Sequence, residues 1–341
     1  MIADVAILIV GFRNSADVKG CLTALSRASA TPTFDVFICE NGGTQAYQRL
    51  LDHLLDAHGP CQRADGHAAS SASFADVQRL RFRDRASSVW VGCATDNLGY
   101  AGGINAWLPQ LSSLPGWKGI WILNPDTEPD ALALAALVEC AEAGRKGMVG
   151  STILDTETDE IRCRGGLHWQ RFSTRTIAIG LGQRSEFPFD PSAIEAAMDS
   201  PSGASMYVTK QCLEKVGPMD ESYFLFFEDL DWGVRAKGCG LGYASKSIVR
   251  HARGTTTGTA KSAATIPQFS VYLEHRNGIR FVRKHFPWTL PVRIAVSLLY
   301  AVRFLLGGAP NNFRATIAGV FAGLRGEAGR PRKYLELVKH N

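Results

Sequence analysis

The sequence predicts an α/β fold with a mostly parallel central sheet, a hairpin-rich second half and a helical C-terminal extension. Apolar strand-like runs alternate with helical periodicity over residues 5–153, which is typical of a parallel sheet with crossover helices. Over residues 161–182 the pattern changes to hairpins, with a break at Gly165 and Gly166. From Gln268 onward the pattern is helical, and no internal repeat is visible.

The first unit of this pattern is a buried strand followed by an amphipathic helix. Residues 5–10 form a continuous apolar run, which residues 11–14 interrupt. Ser15 is the predicted N-cap of the helix. Apolar residues at helical spacing predict its buried face, which consists of Val18, Cys21, Leu22 and Leu25.

The remaining elements follow the same logic along the chain. Further strands are predicted at residues 34–39, 88–93, 119–123, 148–153 and 241–249. Helices are predicted at residues 45–57, 129–143 and 210–216, with others starting at Ile104 and Glu228. The polar stretch 59–84 predicts a surface insertion that is partly mobile.

Composition indicates a globular protein with a basic extension. The chain has 341 residues, of which 45% are hydrophobic and 20% charged. We expect a main domain over residues 1–255 and an extension over 256–341. Residues 272–341 contain 12 Lys or Arg against 3 Asp or Glu, which favours an anionic partner, either lipid head groups or nucleic acid. Apolar helices interrupted by arginines fit a membrane interface, and the alternative is a helical cap on the main domain.

Cysteine usage and the N-terminus give further expectations. The 8 cysteines form no CxxC pair or Cys/His cluster, so we expect no structural zinc and infer a reducing compartment. Residues 1–10 lack the basic start of a signal peptide and are expected to be a strand. Because no run of 18 apolar residues exists, no membrane-spanning helix is predicted.

A short polar turn follows the apolar strand at 119–123. Asn124 and Asp126 flank a proline there, and Thr127 follows. A single carboxylate at the end of a strand suits a cation such as Mg2+, which shares its remaining ligand positions with phosphate oxygens. The alternative is a turn that caps the next helix.

Two further loops follow predicted strands. Glu40 and Asn41 precede two glycines, where a carboxylate and an amide suit the edge of a base or ribose, or only decorate a turn. Residues 96–105 are rich in glycine and open a helix, which allows backbone groups to approach a phosphate or sugar. Their spacing differs from the dinucleotide fingerprint GxGxxG.

The most unusual stretch is an aromatic run that opens into an acidic helix. Residues 223–227 are apolar and mostly aromatic, and Glu228, Asp229 and Asp231 follow them. Acids at a helix start are ordinary capping residues, but Asp229 points away from the face shared by Glu228 and Arg235. Asp229 is therefore a candidate general base, and a Glu228–Arg235 network is expected to be structural. His251, at a strand end, is either structural or part of the same crevice.

Taken in order, these motifs resemble the family 2 glycosyltransferases with the GT-A fold, and most closely the bacterial rhamnosyltransferase-like branch. The resemblance runs over nearly the whole chain. It rests on stretches spread from the first strand to the extension, which are residues 11–14, 40–43, 96–105, 123–127, 203–206, 226–235, His251 and 272–284.

The resemblance implies roles for individual residues. Asp126 holds the place of the last acid of the DxD metal motif, Asn124 stands at the first acid, and His251 is similar to a further metal ligand of some members. Glu40 takes the position of an acid that meets the nucleotide base, where the family more often has Asp. Asp229 matches the catalytic base. The implied donor-binding residues are Gly11, Arg13, Glu40, Asn41, Asn97, Gly99, Gly103, Asn105, Asn124 and Asp126, and the implied acceptor-binding residues are Gly203, Ala204, Glu228 and Trp232.

The resemblance implies a Mg2+- or Mn2+-dependent, inverting, single-addition glycosyltransferase of the cytoplasm, peripheral on the inner membrane face. The expected donor is dTDP-L-rhamnose and the expected acceptor a glycan or lipid-linked sugar of cell-surface polysaccharide synthesis, with no nucleic-acid partner. The alternatives are a UDP-sugar-dependent transferase that moves a galactosyl, galactofuranosyl or N-acetylglucosaminyl group, and a silent nucleotide-sugar-binding protein. A sugar nucleotidyltransferase is disfavoured, because the N-terminus lacks its glycine-rich activation loop.

Overall fold

The computed structural model describes residues 3–67, 72–112, 115–252, 265–331 and 334. Within these residues, eleven strands form one sheet and three form a second, antiparallel sheet. The strands are β1 Val5–Gly11, β2 Phe34–Glu40, β3 Cys61–His67, β4 Phe74–Phe82, β5 Ser88–Ala94, β6 Gly119–Leu123, β7 Thr127–Pro129, β8 Met148–Asp155, β9 Ile161–Arg164, β10 Gly166–Gln170, β11 Arg175–Ala178, β12 Ser200–Pro201, β13 Ser205–Thr209 and β14 Leu241–His251. The helices are α1 Ser15–Ser26, α2 Thr44–Leu55, α3 Gly99–Asn105, α4 Leu108–Ser112, α5 Ala133–Gly144, α6 Pro191–Ala197, α7 Lys210–Val216, α8 Glu228–Ala236, α9 Gln268–His285, α10 Leu290–Leu306 and α11 Pro310–Leu324.

The large sheet has the strand order β3-β4-β5-β2-β1-β6-β13-β8-β14-β7, with β9 attached to β8. Strands β5, β2, β1 and β6 are parallel, so their carboxyl ends meet at one edge. The second sheet has the order β11-β10-β12. The predicted α/β architecture, with its small antiparallel sheet and helical extension, is confirmed.

The core lies on both faces of the large sheet. Side chains such as Leu22, Leu50 and Leu137 pack from α1, α2 and α5 on one face. Ile104 and Trp232 belong to the cluster on the other face. The continuous apolar runs of the central strands are buried because helices cover both sides of a parallel sheet.

Some sequence expectations differ from the structure. Asn14, not Ser15, occupies the N-cap of α1, although the predicted buried face of that helix is confirmed. The stretch predicted as an insertion at 59–84 contains the edge hairpin β3–β4, and residues 68–71 lie outside the described part of the chain. Pro129 ends β7, and α5 begins only at Ala133.

The extension is a packed helical layer. Arg276 on α9 is fully buried, whereas the outward face of α10 is apolar and exposed at Leu299, Val302 and Leu306. Contrary to the sequence expectation, the stretch Pro287–Leu306 is long and apolar enough to cross a membrane by length and composition, which alone is weak evidence. The extension is therefore a cap on its inner side and presents an apolar surface on its outer side.

Candidate active site

The motifs of the first half meet at the carboxyl edge of the parallel strands. Gly11, at the end of β1, lies opposite Glu40 at the end of β2. β6 pairs with the other side of β1, so the turn at Asn124 opens onto the same edge. Ligands of open α/β sheets bind in the crevice outside these strand ends.

Glu40 organises the loops after β1 and β2. Its Oε1 accepts the backbone N–H groups of Arg13 at 3.0 Å and Gly42 at 2.7 Å. Burial raises the pKa of the Glu40 carboxyl, and the two N–H donors oppose that shift. Its Oε2 has no hydrogen-bond partner among the described residues and lies where a Cβ on Gly11 would approach within 2.8 Å. A side chain at Gly11 would therefore displace this carboxylate, and contact of Glu40 with a base stays a prediction.

Asn41 joins the β2 loop to the start of α3. Its Oδ1 accepts the N–H of Leu98 at 3.2 Å, and its Nδ2 donates to the carbonyl of Gly99 at 2.9 Å. Gly99 has φ +74°, and a Cβ there would overlap the carbonyl oxygen of Phe224. This position therefore requires glycine.

Other predicted donor residues serve this loop as well. The side chain of Asn97 accepts the N–H of Gly99 at 3.0 Å. Gly103 packs against Val10, where a Cβ would lie 2.9 Å from the valine methyl groups. Asn105 donates to the Met219 carbonyl at 2.9 Å and accepts the Met219 N–H at 3.2 Å. These contacts shape the loop, and direct donor binding by them stays a prediction.

The turn after β6 brings Asp126 against His251. Strand β14 pairs antiparallel with β7, which sets His251 opposite Thr127, and the Ala252 N–H donates to the Asp126 carbonyl at 3.1 Å. His251 Nε2 lies 3.0 Å from Asp126 Oδ1. The structure thus brings together the two side chains that the sequence singled out as metal ligands.

The residues present fit a cation that is mostly held by its substrate. In the described ranges no group of three His, Cys, Asp or Glu could hold a metal on its own. Asp126 and His251 supply one carboxylate and one imidazole, both largely buried. A hard divalent cation at such a pair takes its other ligands from diphosphate oxygens and water.

Tyr100, which the sequence motifs did not single out, links this turn to the second half of the site. Its hydroxyl lies 2.6 Å from the carbonyl oxygen of Gly203 and 3.1 Å from Asn124 Oδ1. The backbone N–H of Asn124 donates to the Ala204 carbonyl at 3.0 Å. Only its place in the glycine-rich stretch 96–105 could have drawn attention to Tyr100.

Asp229 lies on the other side of that link. Its Oδ2 accepts the Gly203 N–H at 3.1 Å, and its Oδ1 accepts the Leu230 N–H at 2.8 Å. Burial raises the pKa of the Asp229 carboxyl, and these N–H donors oppose the shift. Each oxygen retains a lone pair, so this half-buried carboxylate can accept a proton from a bound hydroxyl.

Glu228 is buried beside it. Burial, together with the charge of Asp229, raises the pKa of the Glu228 carboxyl, and its Oε2 has no partner within the described residues. The expected Glu228–Arg235 network is wrong, because Arg235 pairs with Asp231 at 2.9 Å, one helical turn away. Trp232 is fully buried and donates to the Gly217 carbonyl at 2.9 Å, so the predicted acceptor contact at this residue does not fit.

Asp231 anchors α8 to the extension. Its carboxylate lies 2.7 Å from His285 Nε2 and 2.8 Å from Lys284 Nζ. Burial raises the pKa of Asp231, but hydrogen bonds to His285, Lys284 and Arg235 more than offset this and hold it far below its ordinary value. Asp231 is therefore a structural acid, in contrast to Asp229.

The aromatic loop, residues 223–227, is held in a strained conformation. Phe224, Phe226 and Phe227 have φ of +67°, +70° and +73°. Buried Asn277 on α9 opposes this strain, because its Nδ2 lies 2.8–2.9 Å from the carbonyl oxygens of residues 223, 225 and 226. Strain of this kind persists only where the surroundings over-determine it. The C-terminal extension therefore sets the backbone that carries Asp229.

Comparisons with known proteins agree with this geometry. No protein-family model matches the sequence. The chain is 27% identical to the N-acetylglucosaminyl-diphospho-decaprenol L-rhamnosyltransferase of Mycobacterium tuberculosis, over 61% of this chain and 73% of that protein. It is 18% identical to the low-salt glycan biosynthesis hexosyltransferase Agl10 of Haloferax volcanii, over 98% of this chain and 95% of that protein.

Solved structures share the fold. The mannosyltransferase PcManGT of Pyrobaculum calidifontis, solved with GDP-Man and Mn2+, aligns with a TM-score of 0.51 and 12% identity over 95% of this chain and 88% of that one. GalNAc-T7, solved with UDP, GalNAc and Mn2+, aligns with a TM-score of 0.52 and 12% identity over 83% of this chain and 48% of that one. The chain is thus similar to glycosyltransferases in both sequence and fold, and these similarities support a GT-A family 2 glycosyltransferase that transfers a sugar from a nucleotide-linked donor.

Proposed function

We propose that the protein is an inverting transferase that moves L-rhamnose from dTDP-rhamnose to a lipid-linked sugar in cell-surface polysaccharide synthesis. The observation that carries the proposal is the chain of contacts from Asn124 through Tyr100 and Gly203 to Asp229, which joins the turn of the proposed metal ligand Asp126 to the proposed base. The rhamnosyl donor and the lipid-linked acceptor are suggested by the mycobacterial relative, whose name specifies both sugars.

In the proposed reaction Asp229 accepts the proton of the acceptor hydroxyl. The acceptor oxygen forms a bond to the anomeric carbon as the bond from that carbon to the diphosphate oxygen breaks, and the nucleoside diphosphate leaves. Asp126 and His251 would hold Mg2+ or Mn2+, which supplies positive charge against the leaving diphosphate. Gly203 and Leu230 orient the Asp229 carboxylate through their N–H groups.

The decisive test replaces Asp229 with Asn and measures sugar transfer and donor binding separately. We expect Asp229→Asn to lower kcat at least 1,000-fold, about the upper part of the range for general-base catalysis, with the donor Kd nearly unchanged. Asp231→Asn is the comparison variant, because it changes a neighbouring structural acid in the same way and is expected to lower stability more than it lowers kcat. Transfer by Asp229→Asn at the wild-type rate would overturn the assignment.

The donor is identified by thermal shift with a panel of dTDP- and UDP-sugars, with and without Mn2+. Binding to the folded state raises the melting temperature by mass action, so the correct donor gives the largest shift. Under the proposal His251→Ala removes the Mn2+-dependent part of that shift. A UDP-sugar that raises the melting temperature more than dTDP-rhamnose does would favour the UDP-dependent alternative. A donor that binds but is neither hydrolysed nor transferred would favour a silent binding protein.

We further propose that the extension lies on an anionic membrane surface through the outward face of α10. Leu299, Val302 and Leu306 are exposed there, and exposed Arg303 accompanies them. Apolar residues with flanking cations suit an interfacial helix. Co-sedimentation with vesicles containing phosphatidylglycerol tests this, and Leu299→Glu with Val302→Glu is expected to abolish binding without loss of donor binding.

A further inference from the structure

A cavity of about 440 Å³ lies where the C-terminal helices meet the aromatic loop and the edge of β11. Its volume is in the range of sites that bind small molecules. Its lining combines charged groups with aromatic rings and includes Arg175, Phe226, Glu274, Arg293, Tyr300 and Phe304. None of the predicted donor-binding residues lines this cavity.

The cavity adjoins the aromatic loop that leads to Asp229. Phe226, which lines it, belongs to the strained loop that leads directly into α8. Burial raises the pKa of the Asp229 carboxyl, and the negative charge of Glu274, which also lines the cavity, adds to that shift. A molecule in the cavity therefore contacts the loop that carries the proposed catalytic base.

The charged lining favours an anionic ligand. Arg293 is buried, and it donates to the Thr174 carbonyl at 3.0 Å and to the Glu274 carbonyl at 2.8 Å. Its Nε has no hydrogen-bond partner within the described residues, and a buried donor without an acceptor is costly. Arg175 adds a second guanidinium at the exposed edge of β11. Guanidinium groups bind phosphate oxygens through paired hydrogen bonds. Glu274 is the one carboxylate among the lining residues, and its negative charge is already paired with Arg293.

The apolar lining and the position of α10 favour a ligand with a sugar and a lipid tail. Phe226, Tyr300 and Phe304 present ring surfaces, which suit the apolar face of a sugar ring. Tyr300 and Phe304 lie on α10, whose opposite face carries the exposed Leu299 and Val302. One helix therefore separates the cavity from the proposed membrane surface.

We propose that this cavity is the acceptor site and holds the sugar-phosphate head of a lipid-linked acceptor, with Arg175 binding its phosphate and the aromatic rings packing on its sugar. The assignment rests on the proposed function. It specifies the acceptor as a sugar joined to a lipid through phosphate, because the lining carries two guanidinium groups, one of which has a buried donor without an acceptor.

The test measures equilibrium binding to the full chain of two fluorescent probes. One is N-acetylglucosamine joined through a diphosphate to a short prenyl chain, and the other is the phosphate-free prenyl glycoside. We expect Arg175→Ala to raise the Kd of the diphosphate probe at least 10-fold while binding of the glycoside stays unchanged. Tyr300→Ala is expected to weaken both probes. Arg184→Ala is the matched control, since that exposed arginine lies outside the cavity, and it should change neither Kd.

The acceptor-site assignment is overturned if Arg175→Ala and Tyr300→Ala both bind the diphosphate probe with wild-type affinity. It is also overturned if the wild-type protein binds neither probe. Hydrolysis of the nucleotide sugar without acceptor is measured in parallel. If the wild-type protein hydrolyses or transfers no nucleotide sugar, the proposed function fails, whereas probe binding still decides separately whether the cavity takes a sugar phosphate.

Discussion

Asn277 offers the sharpest test of how the extension acts on the site. It lies on α9 and is fully buried, and its side-chain amide lies within 2.9 Å of three carbonyl oxygens of the aromatic loop. Asn277→Asp keeps the size of the side chain but replaces the donor with an acceptor. The three carbonyl groups then face a carboxylate oxygen instead of N–H groups.

The structure gives the magnitude of the effect. The amide has two hydrogens, so two buried carbonyl bonds are lost at once, at about 1–3 kcal/mol each. The loop contains three non-glycine residues with positive φ, and each costs about 1–2 kcal/mol. Because the lost bonds and the strain are of similar size, the loop should relax when the amide is removed. A shift of Asp229 by about 1 Å is enough to lower kcat on the order of 100-fold.

The assay is steady-state transfer with donor binding and denaturant unfolding measured in parallel. We expect Asn277→Asp to lower kcat on the order of 100-fold, with the donor Kd within about twofold of wild type. Arg85→Ala is the matched control. Arg85 also donates to three backbone carbonyls, those of Leu25, Ala28 and Ser29, at the far end of α1. Arg85→Ala should lower the free energy of unfolding without changing kcat. A wild-type kcat in Asn277→Asp would refute the proposed effect of the extension on the site.

Three further substitutions test neighbouring parts of the site. Gly203→Ala would place a Cβ 3.0 Å from Asp229 Oδ2, so kcat should fall about 10-fold as the carboxylate is displaced, and an unchanged kcat would contradict the geometry. Tyr100→Phe removes the hydroxyl that joins Gly203 to Asn124. Transfer kinetics should show a kcat lowered several-fold and an unchanged donor Kd. A kcat equal to that of the wild type would exclude a role for this link. Burial raises the pKa of Glu228 to about 8 in the folded state, above its unfolded value of about 4.3. The folded protein therefore loses stability as the pH rises from the lower to the higher of these two values. Glu228→Gln should therefore flatten the melting temperature between about pH 5 and 8, and a wild-type slope would show that Glu228 does not titrate there.

The elements that could be predicted from the sequence are those whose residue pattern depends on their own burial. Continuous apolar runs marked the central strands, because a parallel sheet covered on both faces has no polar side. The edge hairpin at 59–84 was missed since its buried residues do not alternate. A register shift between Phe74 and Asp76 breaks the period of two on which strand prediction depends.

Some contacts of the candidate site could likewise be predicted from the sequence, and others could not. Asp126 and His251 could be brought together from the sequence, because strand ends of one sheet return to one edge. The Asp231–Arg235 pair has the ordinary helical spacing of four, so attention to that spacing would have avoided the wrong pairing with Glu228. The contacts of Tyr100 and Asn277 could not be predicted. Their partners are largely backbone carbonyls far away in the sequence, which leave no pattern of residue types.

The extension is also more than an appended helical module. A boundary near residue 255 follows the change in composition, but the contacts cross it. Arg276 and Asn277 both bind the Tyr223 carbonyl, and the Asp231 carboxylate of α8 is paired with Lys284 and lies 2.7 Å from His285 Nε2, both on α9. Without α9 the buried Asp231 carboxylate would keep Arg235 but lose its other partners, and the strained loop would lose its donors. The backbone that presents Asp229 therefore depends on the packing of α9 against it, which joins the proposed catalytic carboxylate and the proposed membrane-facing helix in one structural unit.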